Sequence, residues 1–397
     1  MTQDAYIVAY GRSPIGKGKK SGAYYLSRPE DIAAQVLTGV LERVGGDFTS
    51  DMVEDLILGV SQPENLQGMN IARKVVLRAG LSERIAAQTI NRFCSSGLQS
   101  IATAANAIIA GQSDVLVAGG LEFQSTTPPG SAEMTNTPYL EKEGQSVAVS
   151  MGITAENVAE RYNVSAKEQN EFAVSSHKKA HEAQTTGRFD DEIIPVNIQT
   201  VDYNENGDAI PGTETFDTDQ GIRPNSDVET LSKLPTVFKE NGTVTAGNAS
   251  QISDGTAFVV LMSGDKVKEL GVKPIAKFRG FKVTGVDPAY MGIGPIYAIP
   301  QVLKLAGLSL SDMDIIELNE AFASQTLAIV NELGIDKEKL NPNGGAIALG
   351  HPNGATGAIL TARMLAEMKK RDDAKYGMVT MCIGSGMGAA GIFEFIR

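Results

Sequence analysis

Apolar residues recur along the chain with two periods, which together predict alternating strands and helices. Three short apolar runs are typical of buried strands: AYIVAY (5–10), VEDLILGV (53–60) and DVLVAGG (114–120). Two segments between them carry apolar residues at helical spacing, namely Ile32, Val36, Val40 and Val44, and then Leu98, Ile101, Ala105 and Ile108. Each of these segments ends at a glycine, as helices commonly do. The alternation predicts an α/β architecture.

The second half of the chain repeats this pattern. MDIIELN (313–319) resembles the second strand, GHPNGATGAILTARMLAEM (350–368) is a glycine-rich turn before a helix, and GMVTMCIGSG (377–386) resembles the third strand with its turn. Cys94 lies 39 residues after Asp55, and His351 lies 37 residues after Asp314. We therefore predict a duplicated domain in which His351 takes the place of Cys94. The alternative is that two unrelated α/β units share this spacing by chance.

A less regular insertion separates the two copies. We predict an N-terminal half at 1–120 and 248–272, a loop domain at 121–247 and a C-terminal half at 273–397. The insertion contains the loop segment FQSTTPPGSAEMTNTP and a polar helix around SAKEQNEFAVSSHKKAHEAQ. Long loops in a compact protein are usually functional. The run TAGNASQISDGTAFVVLMSG then predicts the last strand of the first copy.

Charge and cysteine content narrow the class of protein. The 35 basic and 47 acidic residues leave a net charge of −12, which argues against a general nucleic-acid or membrane-surface binder but allows a local basic pocket. Two cysteines make no disulfide framework, which favours a reducing compartment. We find no signal peptide, no membrane-spanning apolar run and no C-terminal Ser-Lys-Leu address. We expect a cytoplasmic protein.

Three motif-like stretches are interpreted as coincidences. GRSPIGKG (11–18) resembles a phosphate-binding loop but lacks the Ser or Thr after the lysine, and no helical pattern follows. GMGAAG (386–391) resembles a dinucleotide motif, yet too few residues follow it, so we interpret it as a backbone turn. HKKAH lacks the glutamate of a metalloprotease, and we expect exposed His177 and His181 and no metal site.

Four polar side chains are predicted at strand-end turns, where open α/β sheets place their sites. Cys94 precedes a helix, whose N-terminus lowers a thiol pKa and whose amides stabilise an oxyanion. An inert buried cysteine is the alternative for this residue. His351 occupies the symmetric turn, Cys382 lies beside bare backbone amides, and Asn319 ends a strand. The set predicts a cysteine nucleophile activated by histidine.

At this point the motifs resemble those of the thiolases, in order and along the whole chain. The matching motifs are NRFCSSGLQS, MGITAENVAERY, TVTAGNASQISDGTA, LNEAFASQ, GGAIALGHPNGATGA and MCIGSGMGAAGIFE. The resemblance implies a five-layered α/β/α/β/α fold, built from two duplicated halves plus a CoA-binding loop domain. It also implies a homodimer or homotetramer, acyl-CoA and CoA as substrates, no permanently bound cofactor, and partner enzymes of β-oxidation.

The resemblance carries roles over to particular residues. Cys94 matches the acyl-accepting nucleophile, His351 the histidine that activates it and lines one oxyanion hole, and Asn319 the residue that holds a water there. Cys382 matches the cysteine that moves the α-carbon proton, and the amides of Cys94 and Gly384 match a second oxyanion hole. The matched CoA-binding positions are Met151, Arg223, Phe238, Ala246, Ser250 and Phe322.

The resemblance leaves the substrate open. The loops look like those of degradative thiolases, which predicts cleavage of 3-ketoacyl-CoA to acetyl-CoA and a shortened acyl-CoA in fatty-acid β-oxidation. The alternatives are an acetyl-CoA acetyltransferase, a ketoacyl synthase, a cysteine hydrolase and a non-catalytic CoA or lipid carrier. Gly292, Gly294 and Pro295 could leave space for an acyl tail or simply form a turn before a helix near Ile296. Asn353 stands where thiolases usually have an apolar residue.

Overall fold

The structure is a computed structural model that describes residues 3–130, 138–142 and 149–397. The loop segment FQSTTPPGSAEMTNTP and the predicted loop domain therefore lie partly outside the described residues. The domain boundaries stay a prediction.

Strands and helices alternate through both halves. The strands are β1 (Ala5–Arg12), β2 (Gly16–Lys17), β3 (Asp55–Gly59), β4 (Ala86–Ile90), β5 (Val115–Phe123), β6 (Val196–Tyr203), β7 (Ala209–Phe216), β8 (Ser253–Ser263), β9 (Ala276–Gly285), β10 (Ile315–Leu318), β11 (Tyr376–Ile383) and β12 (Met387–Phe395). The helices are α1 (Pro29–Glu42), α2 (Ile71–Arg78), α3 (Ser96–Ile109), α4 (Pro138–Lys142), α5 (Met151–Arg161), α6 (Ala166–Thr185), α7 (Val228–Ser232), α8 (Gly264–Glu269), α9 (Gly294–Ala306), α10 (Ala323–Leu333), α11 (Ala346–Leu349) and α12 (Asn353–Lys369).

Most of the predicted elements are confirmed. The three apolar runs form β1, β3 and β5, and their counterparts in the second half form β10 and β11. The helical patterns form α1 and α3, and the polar pattern of the insertion forms α6. The interpretation of GMGAAG as a turn is wrong beyond Gly386, because Met387 begins β12 and pairs on both sides with β11 and β9.

The order of the strands shows the duplication directly. The large sheet runs β10-β11-β12-β9-β1-β8-β5-β3-β4, with β2 beside β8. The two halves meet where β1 and β9 pair antiparallel. Outward from that junction, each half has two antiparallel pairings followed by parallel pairing, which joins β5 to β3 and β3 to β4 in the first half and β11 to β10 in the second.

Side-chain alternation along the strands creates the layers. On β8, Phe258, Val260 and Met262 join the core against α1 and α2, whereas the intervening apolar residues join a core shared with α3 and α12. A third core lies between the second half of the sheet and the helices α9 and α10. Two helical layers therefore cover the outer faces, and a third helical layer lies between the two half-sheets.

The central helices approach closely because glycine faces each contact. A Cβ atom on Gly357 of α12 would lie 2.3 Å from the backbone nitrogen of Leu98, and one on Gly97 of α3 would lie 2.8 Å from that of Ala358. Real Cβ atoms do not approach backbone this closely, so both positions require glycine. The contact brings together the turns that precede the two helices, and these turns carry Cys94 and His351.

Candidate functional site

A cavity of about 630 Å³ opens at the turns beside α3 and α12. Three of the five predicted catalytic residues line it: Cys94, His351 and Cys382. All six predicted CoA-binding residues line it as well: Met151, Arg223, Phe238, Ala246, Ser250 and Phe322. The fold therefore joins residues from both halves and from the insertion at one site.

Cys94 lies in a single 3₁₀ turn, Phe93–Ser95, directly before the first residue of α3. The backbone amides of Gly384 and of Cys94 itself hydrogen-bond its sulfur and favour the thiolate. Desolvation by burial is nevertheless the larger effect, and it raises the pKa of Cys94 to about 11. The expectation that the helix N-terminus lowers this pKa is wrong for the free protein, because the thiol is only partly exposed and faces an apolar cavity.

The hydrogen bonds around His351 determine which ring nitrogen carries the proton. The Thr356 hydroxyl has one proton and donates it to the carbonyl oxygen of Pro352 at 3.0 Å. With that hydroxyl proton donated to Pro352, the ring donates the contact of 2.6 Å between His351 Nδ1 and Thr356 Oγ1, so Nδ1 carries the proton and the lone pair of Nε2 faces the Asn319 amide at 3.3 Å. Burial lowers the pKa of His351 to about 4, so the ring is neutral near pH 7 and its Nε2 can accept a proton.

The backbone before His351 is also closely held. Gly350 has φ 113°, and a Cβ atom there would lie 2.1 Å from Ser253 Oγ, so only glycine fits. The same Ser253 hydroxyl accepts a hydrogen bond from the His351 amide at 3.2 Å. These contacts hold the backbone of His351 at the first residue of β8.

Asn319 is placed beside His351 rather than on the cavity wall. Its side chain is fully buried after β10, and its Nδ2 lies 3.3 Å from His351 Nε2. Its Oδ1 has no hydrogen-bond partner among the described residues. A buried amide oxygen without a partner is costly, and a bound water would satisfy it.

Cys382 is fully buried at the end of β11. Desolvation raises its pKa well above the ordinary thiol value, and the neighbouring Cys94 thiolate raises it further. The two cysteines are both free thiols. Gly384 follows in the next turn and does not line the cavity, but its amide points to the Cys94 sulfur.

The insertion and the C-terminal half together supply an apolar wall for the cavity. The rings of Phe238 and Phe322 pack edge to face with centroids 6.3 Å apart. Phe238 also lies against Gly152 in the first turn of α5, where a Cβ atom would come within 2.1 Å of the ring. Met151 is the first residue of the same helix. The backbone amide of Ser250 donates a hydrogen bond to the Ala321 carbonyl oxygen at 2.9 Å.

His177 is buried, and the expectation of an exposed residue is wrong for it. Its Nδ1 accepts a hydrogen bond from the backbone amide of Arg223 at 3.1 Å. The side chain therefore lies buried between α6 and the segment 219–223. Burial lowers the pKa of His177 to about 4. His181, one turn later, is exposed as expected.

The two glycines at the start of α9, Gly292 and Gly294, do not leave room for an acyl tail. A Cβ atom on Gly292 would lie 2.9 Å from Gln325, and one on Gly294 would lie 2.3 Å from the Met387 carbonyl oxygen. Both glycines therefore allow close packing, and Pro295 lies in the first turn of α9. Met291 and Asn353 do line the cavity.

Three groups of residues at the site were missed in the sequence. Glu122 is fully buried and accepts hydrogen bonds from the amides of Ser61 and Gly354 and from the side chain of Gln67. Burial raises its pKa to about 7. A single carboxylate in the apolar run VLVAGGLEF was the available signal. Thr356 and Lys19 had no comparable signal, and Lys17 lies in the motif GRSPIGKG that was interpreted as a coincidence.

Metal-ligating side chains do not cluster in the residues that the structure describes, where no group of three or more His, Cys, Asp or Glu could hold an ion. Across the same residues, no helix combines the length and the apolar character needed to cross a bilayer.

Comparison with known proteins agrees with this geometry. Residues 5–265 match the N-terminal domain of thiolase and residues 272–395 match its C-terminal domain. The chain is 49% identical over 393 residues to a 3-ketoacyl-CoA thiolase of Bacillus subtilis, with 99% of each chain covered. It is 46% identical to the peroxisomal 3-ketoacyl-CoA thiolase 1 of Arabidopsis thaliana, over 98% of this chain and 87% of that one.

Solved structures of similar proteins confirm the predicted fold. The acetyl-CoA acetyltransferase of Bacillus anthracis superposes with a TM-score of 0.88 at 38% identity, covering 100% of this chain and 99% of that one. The dimeric peroxisomal thiolase of Saccharomyces cerevisiae also gives a TM-score of 0.88, at 37% identity, with 99% and 98% covered. Matching family domains, curated relatives and superposed structures all span nearly the whole chain, which therefore belongs to the thiolase family.

Proposed function

We propose that the protein is a 3-ketoacyl-CoA thiolase, which transfers an acyl group from 3-ketoacyl-CoA to CoA through an acyl-enzyme on Cys94. The observation that carries the proposal is the convergence of two free thiols and a neutral imidazole on one cavity. The relatives named 3-ketoacyl-CoA thiolase support the same reaction.

The first half-reaction uses both cysteines in different roles. His351 Nε2 takes the Cys94 proton, and the thiolate attacks the keto carbon while the amides of Cys94 and Gly384 stabilise the oxyanion. Cleavage of the bond between C2 and C3 leaves the acyl group on sulfur and releases an acetyl-CoA enolate. Protonated His351, with Asn319 and its water, stabilises the enolate oxygen, and Cys382 donates a proton to the α-carbon.

The second half-reaction restores both thiols. The Cys382 thiolate takes the proton from the CoA thiol, and the CoA sulfur attacks the acyl carbon on Cys94. The Cys94 thiolate leaves and recovers its proton from His351. Two thiols are therefore needed because the nucleophile carries the acyl group while the α-proton moves at a different point.

Cys382→Ser tests this division of roles. The variant should still accept a radiolabelled acetyl group from acetyl-CoA on Cys94, since that step needs no α-proton transfer. Thiolysis and α-proton exchange should fall by about 10²- to 10⁴-fold. Cys94→Ser is the matched control and should take up no label. A wild-type protein that is never labelled would instead indicate a non-catalytic carrier, and hydrolysis without CoA would indicate a hydrolase.

We propose the degradative subtype, which acts on chains longer than acetoacetyl-CoA. The relatives named 3-ketoacyl-CoA thiolase support it, whereas the likeness to the Bacillus anthracis acetyl-CoA acetyltransferase favours the condensing alternative. The kcat/KM for thiolysis of substrates with acyl chains of four to twelve carbons tests this. Equal or rising values beyond four carbons are expected, and a steep fall would favour the acetyltransferase.

We also propose that two or four copies assemble. Among the described residues the edge strand β4 pairs only with β3, and exposed Met69, Leu77 and Phe93 lie in the surrounding segments. A second copy pairing along this edge would satisfy its backbone groups. Light scattering should give a mass of at least twice 42.0 kDa, and a monomer at micromolar concentration would contradict assembly.

A cytoplasmic location is a separate proposal. The two free thiols support a reducing compartment. Fractionation of the native cells tests it, and recovery of the protein from an organelle or from the periplasm would contradict it. Partner enzymes of β-oxidation are proposed with it, and co-purification under native conditions tests them.

A further inference from the structure

Two amide side chains line the cavity without a full set of hydrogen-bond partners. Asn353 is half-buried at the first position of α12, and its side chain neither caps the helix nor makes a hydrogen bond with residues 3–130, 138–142 and 149–397. Gln124 is 3% exposed just after β5, and its Oε1 accepts the Ser253 amide at 2.8 Å. Its Nε2 donates no hydrogen bond within the same ranges. A buried donor without a partner is costly, so these amides favour a ligand that offers them one.

The backbone brings the two amides to one side of the cavity. The Gly354 amide donates a hydrogen bond to Glu122 at 2.8 Å. Gln124 lies two residues after this carboxylate, and Asn353 directly precedes this glycine. A Cβ atom on Gly354 would lie 2.8 Å from the carbonyl oxygen of Leu121, so α12 starts directly against the end of β5. Gln124 and Asn353 therefore form one polar wall of the cavity.

This polar wall lies beside the catalytic histidine. The Ser253 amide donates to Gln124, and the Ser253 hydroxyl accepts a hydrogen bond from the His351 amide at 3.2 Å. Asn353 follows two residues after His351. Both members of the polar wall are therefore tied to the backbone that carries the imidazole.

The polar wall borders the space left for the acyl chain of the substrate. In the proposed acyl-enzyme the acyl carbon is bonded to the Cys94 sulfur and is attacked by the CoA sulfur, so the acyl chain and CoA extend into different parts of the cavity. The positions matched to CoA include the aromatic surface of Phe238 and Phe322. Gln124 and Asn353 are not among those positions, which leaves the acyl chain as the group that they face.

The free atoms of the polar wall suit a neutral hydroxyl group. A hydroxyl oxygen can accept a hydrogen bond from Gln124 Nε2 while its proton is donated to Asn353 Oδ1. A carboxylate is less suited, because the buried carboxyls of Glu122 and Asp254 lie on the segments that form this wall. Burial raises the pKa of both carboxyls to about 7, so above pH 7 they are negatively charged and repel an anionic chain.

We infer that Gln124 and Asn353 are specificity-determining residues that favour 3-ketoacyl-CoA with a hydroxyl group on the acyl chain over an alkyl chain of equal length. This inference rests on the proposed function and names its substrate class more closely. The position of Asn353 supports it, because thiolases usually have an apolar residue there, which suits an alkyl chain. The preference concerns chains of equal length and is independent of the preference for length.

The test compares substrates that differ by one hydroxyl group. Thiolysis is measured with 3-ketoacyl-CoA of six to eight acyl carbons, and with derivatives that carry a hydroxyl or a carboxylate on the terminal carbon. For at least one length, the wild type should give a kcat/KM about fivefold to fiftyfold higher for the hydroxyl derivative than for the alkyl parent.

Two substitutions in the polar wall should change this preference. Asn353→Leu should lower kcat/KM for the hydroxyl derivative about fivefold to twentyfold and raise it for the alkyl parent about twofold to fivefold, because the unpaired amide is replaced by an apolar surface. Gln124→Glu keeps an oxygen for the Ser253 amide but removes the donor, and it should also lower kcat/KM for the hydroxyl derivative. Opposite effects on two substrates are not expected of a merely structural defect.

Asn106→Leu is the matched control. Asn106 is exposed on α3, about 15 Å along the helix from Ser96, and does not line the cavity. The control makes the same substitution on a helix and should leave kcat/KM unchanged for both substrates. Thermal unfolding verifies that all variants fold.

The outcomes separate the inference from the proposed function. Equal kcat/KM for the hydroxyl derivative and its alkyl parent at every length overturns the inference, as does a preference for the carboxylate derivative. An equal loss with both substrates in Asn353→Leu also overturns it. A wild type that cleaves no 3-ketoacyl-CoA contradicts the proposed function instead. In that case, calorimetric titration with hexanoyl-CoA and 6-hydroxyhexanoyl-CoA tests the polar wall, and equal affinities overturn it.

Discussion

Alkylation of the two cysteines should differ in rate and in pH dependence. The thiolate is the reactive form, and a pKa of about 11 leaves about one Cys94 in a thousand ionised at pH 8. The rate at Cys94 should therefore rise about tenfold for each pH unit from 7 to 10 without reaching a plateau. Cys382 is fully buried and its pKa is raised further, so it should react at least about ten times more slowly.

The assay uses limiting iodoacetamide without substrate, with mass spectrometry of the two cysteine peptides at each pH. Cys94→Ser and Cys382→Ser each leave a single thiol and serve as matched controls, with glutathione as the reference for reagent reactivity. A plateau below pH 8 would refute the reasoning, because it would show a preformed pair of thiolate and protonated His351. Faster labelling of Cys382 would contradict the choice of nucleophile.

Three further substitutions test the contacts around the site. Thr356→Val removes the hydrogen-bond acceptor for His351 Nδ1 and should lower kcat about tenfold to a hundredfold. Thr356→Ser keeps the hydroxyl and should recover the wild-type kcat. Equal kcat in both variants would contradict the proposed tautomer. His177→Leu should raise the KM for CoA with little change in kcat, because the Arg223 amide loses its hydrogen-bond acceptor. His177→Asn should restore the wild-type KM. A fall in kcat alone would argue against a role of His177 in positioning Arg223. Burial raises the pKa of Glu317 from 4.5 to about 7, so this carboxyl should lower the unfolding free energy of the wild type by up to about 3 kcal/mol as pH rises from 5 to 8. Denaturant titration should find a correspondingly smaller loss in Glu317→Gln, in which buried Glu122 still contributes.

Periodicity and turn chemistry in the sequence determined the elements of this fold. The strands β1, β3 and β5, the helices α1 and α3 and their counterparts follow from local patterns that bury one face of each element. The duplication is visible for the same reason, because each copy must bury the same faces. Cys94, His351 and Cys382 were found because their motifs lie at strand-end turns, whose position depends on local sequence. The CoA-binding positions came only from the resemblance to the thiolases.

Tertiary packing alone decided the ionisation of these groups. Cys94 does precede α3, yet its pKa is raised because the second half of the chain and the insertion surround the thiol and remove water. His177 appears exposed in a polar helical pattern, but it is buried because a segment 46 residues later donates an amide to it. Glu122 is buried by the amide of Gly354, 232 residues away.

Contacts between distant residues also explain why certain glycines and lysines were harder to interpret. Gly292 and Gly294 have the sequence of an open turn, and only the packed structure shows that Gln325 and Met387 fill the space beside them. Lys17 lies in GRSPIGKG, which its sequence alone leaves as a coincidence, and the place of Lys17 and Lys19 at the cavity depends on contacts with Gln220 and Ile252. Burial, proton affinity and proximity arise from contacts between residues distant in the chain, whereas helices and strands arise from neighbours.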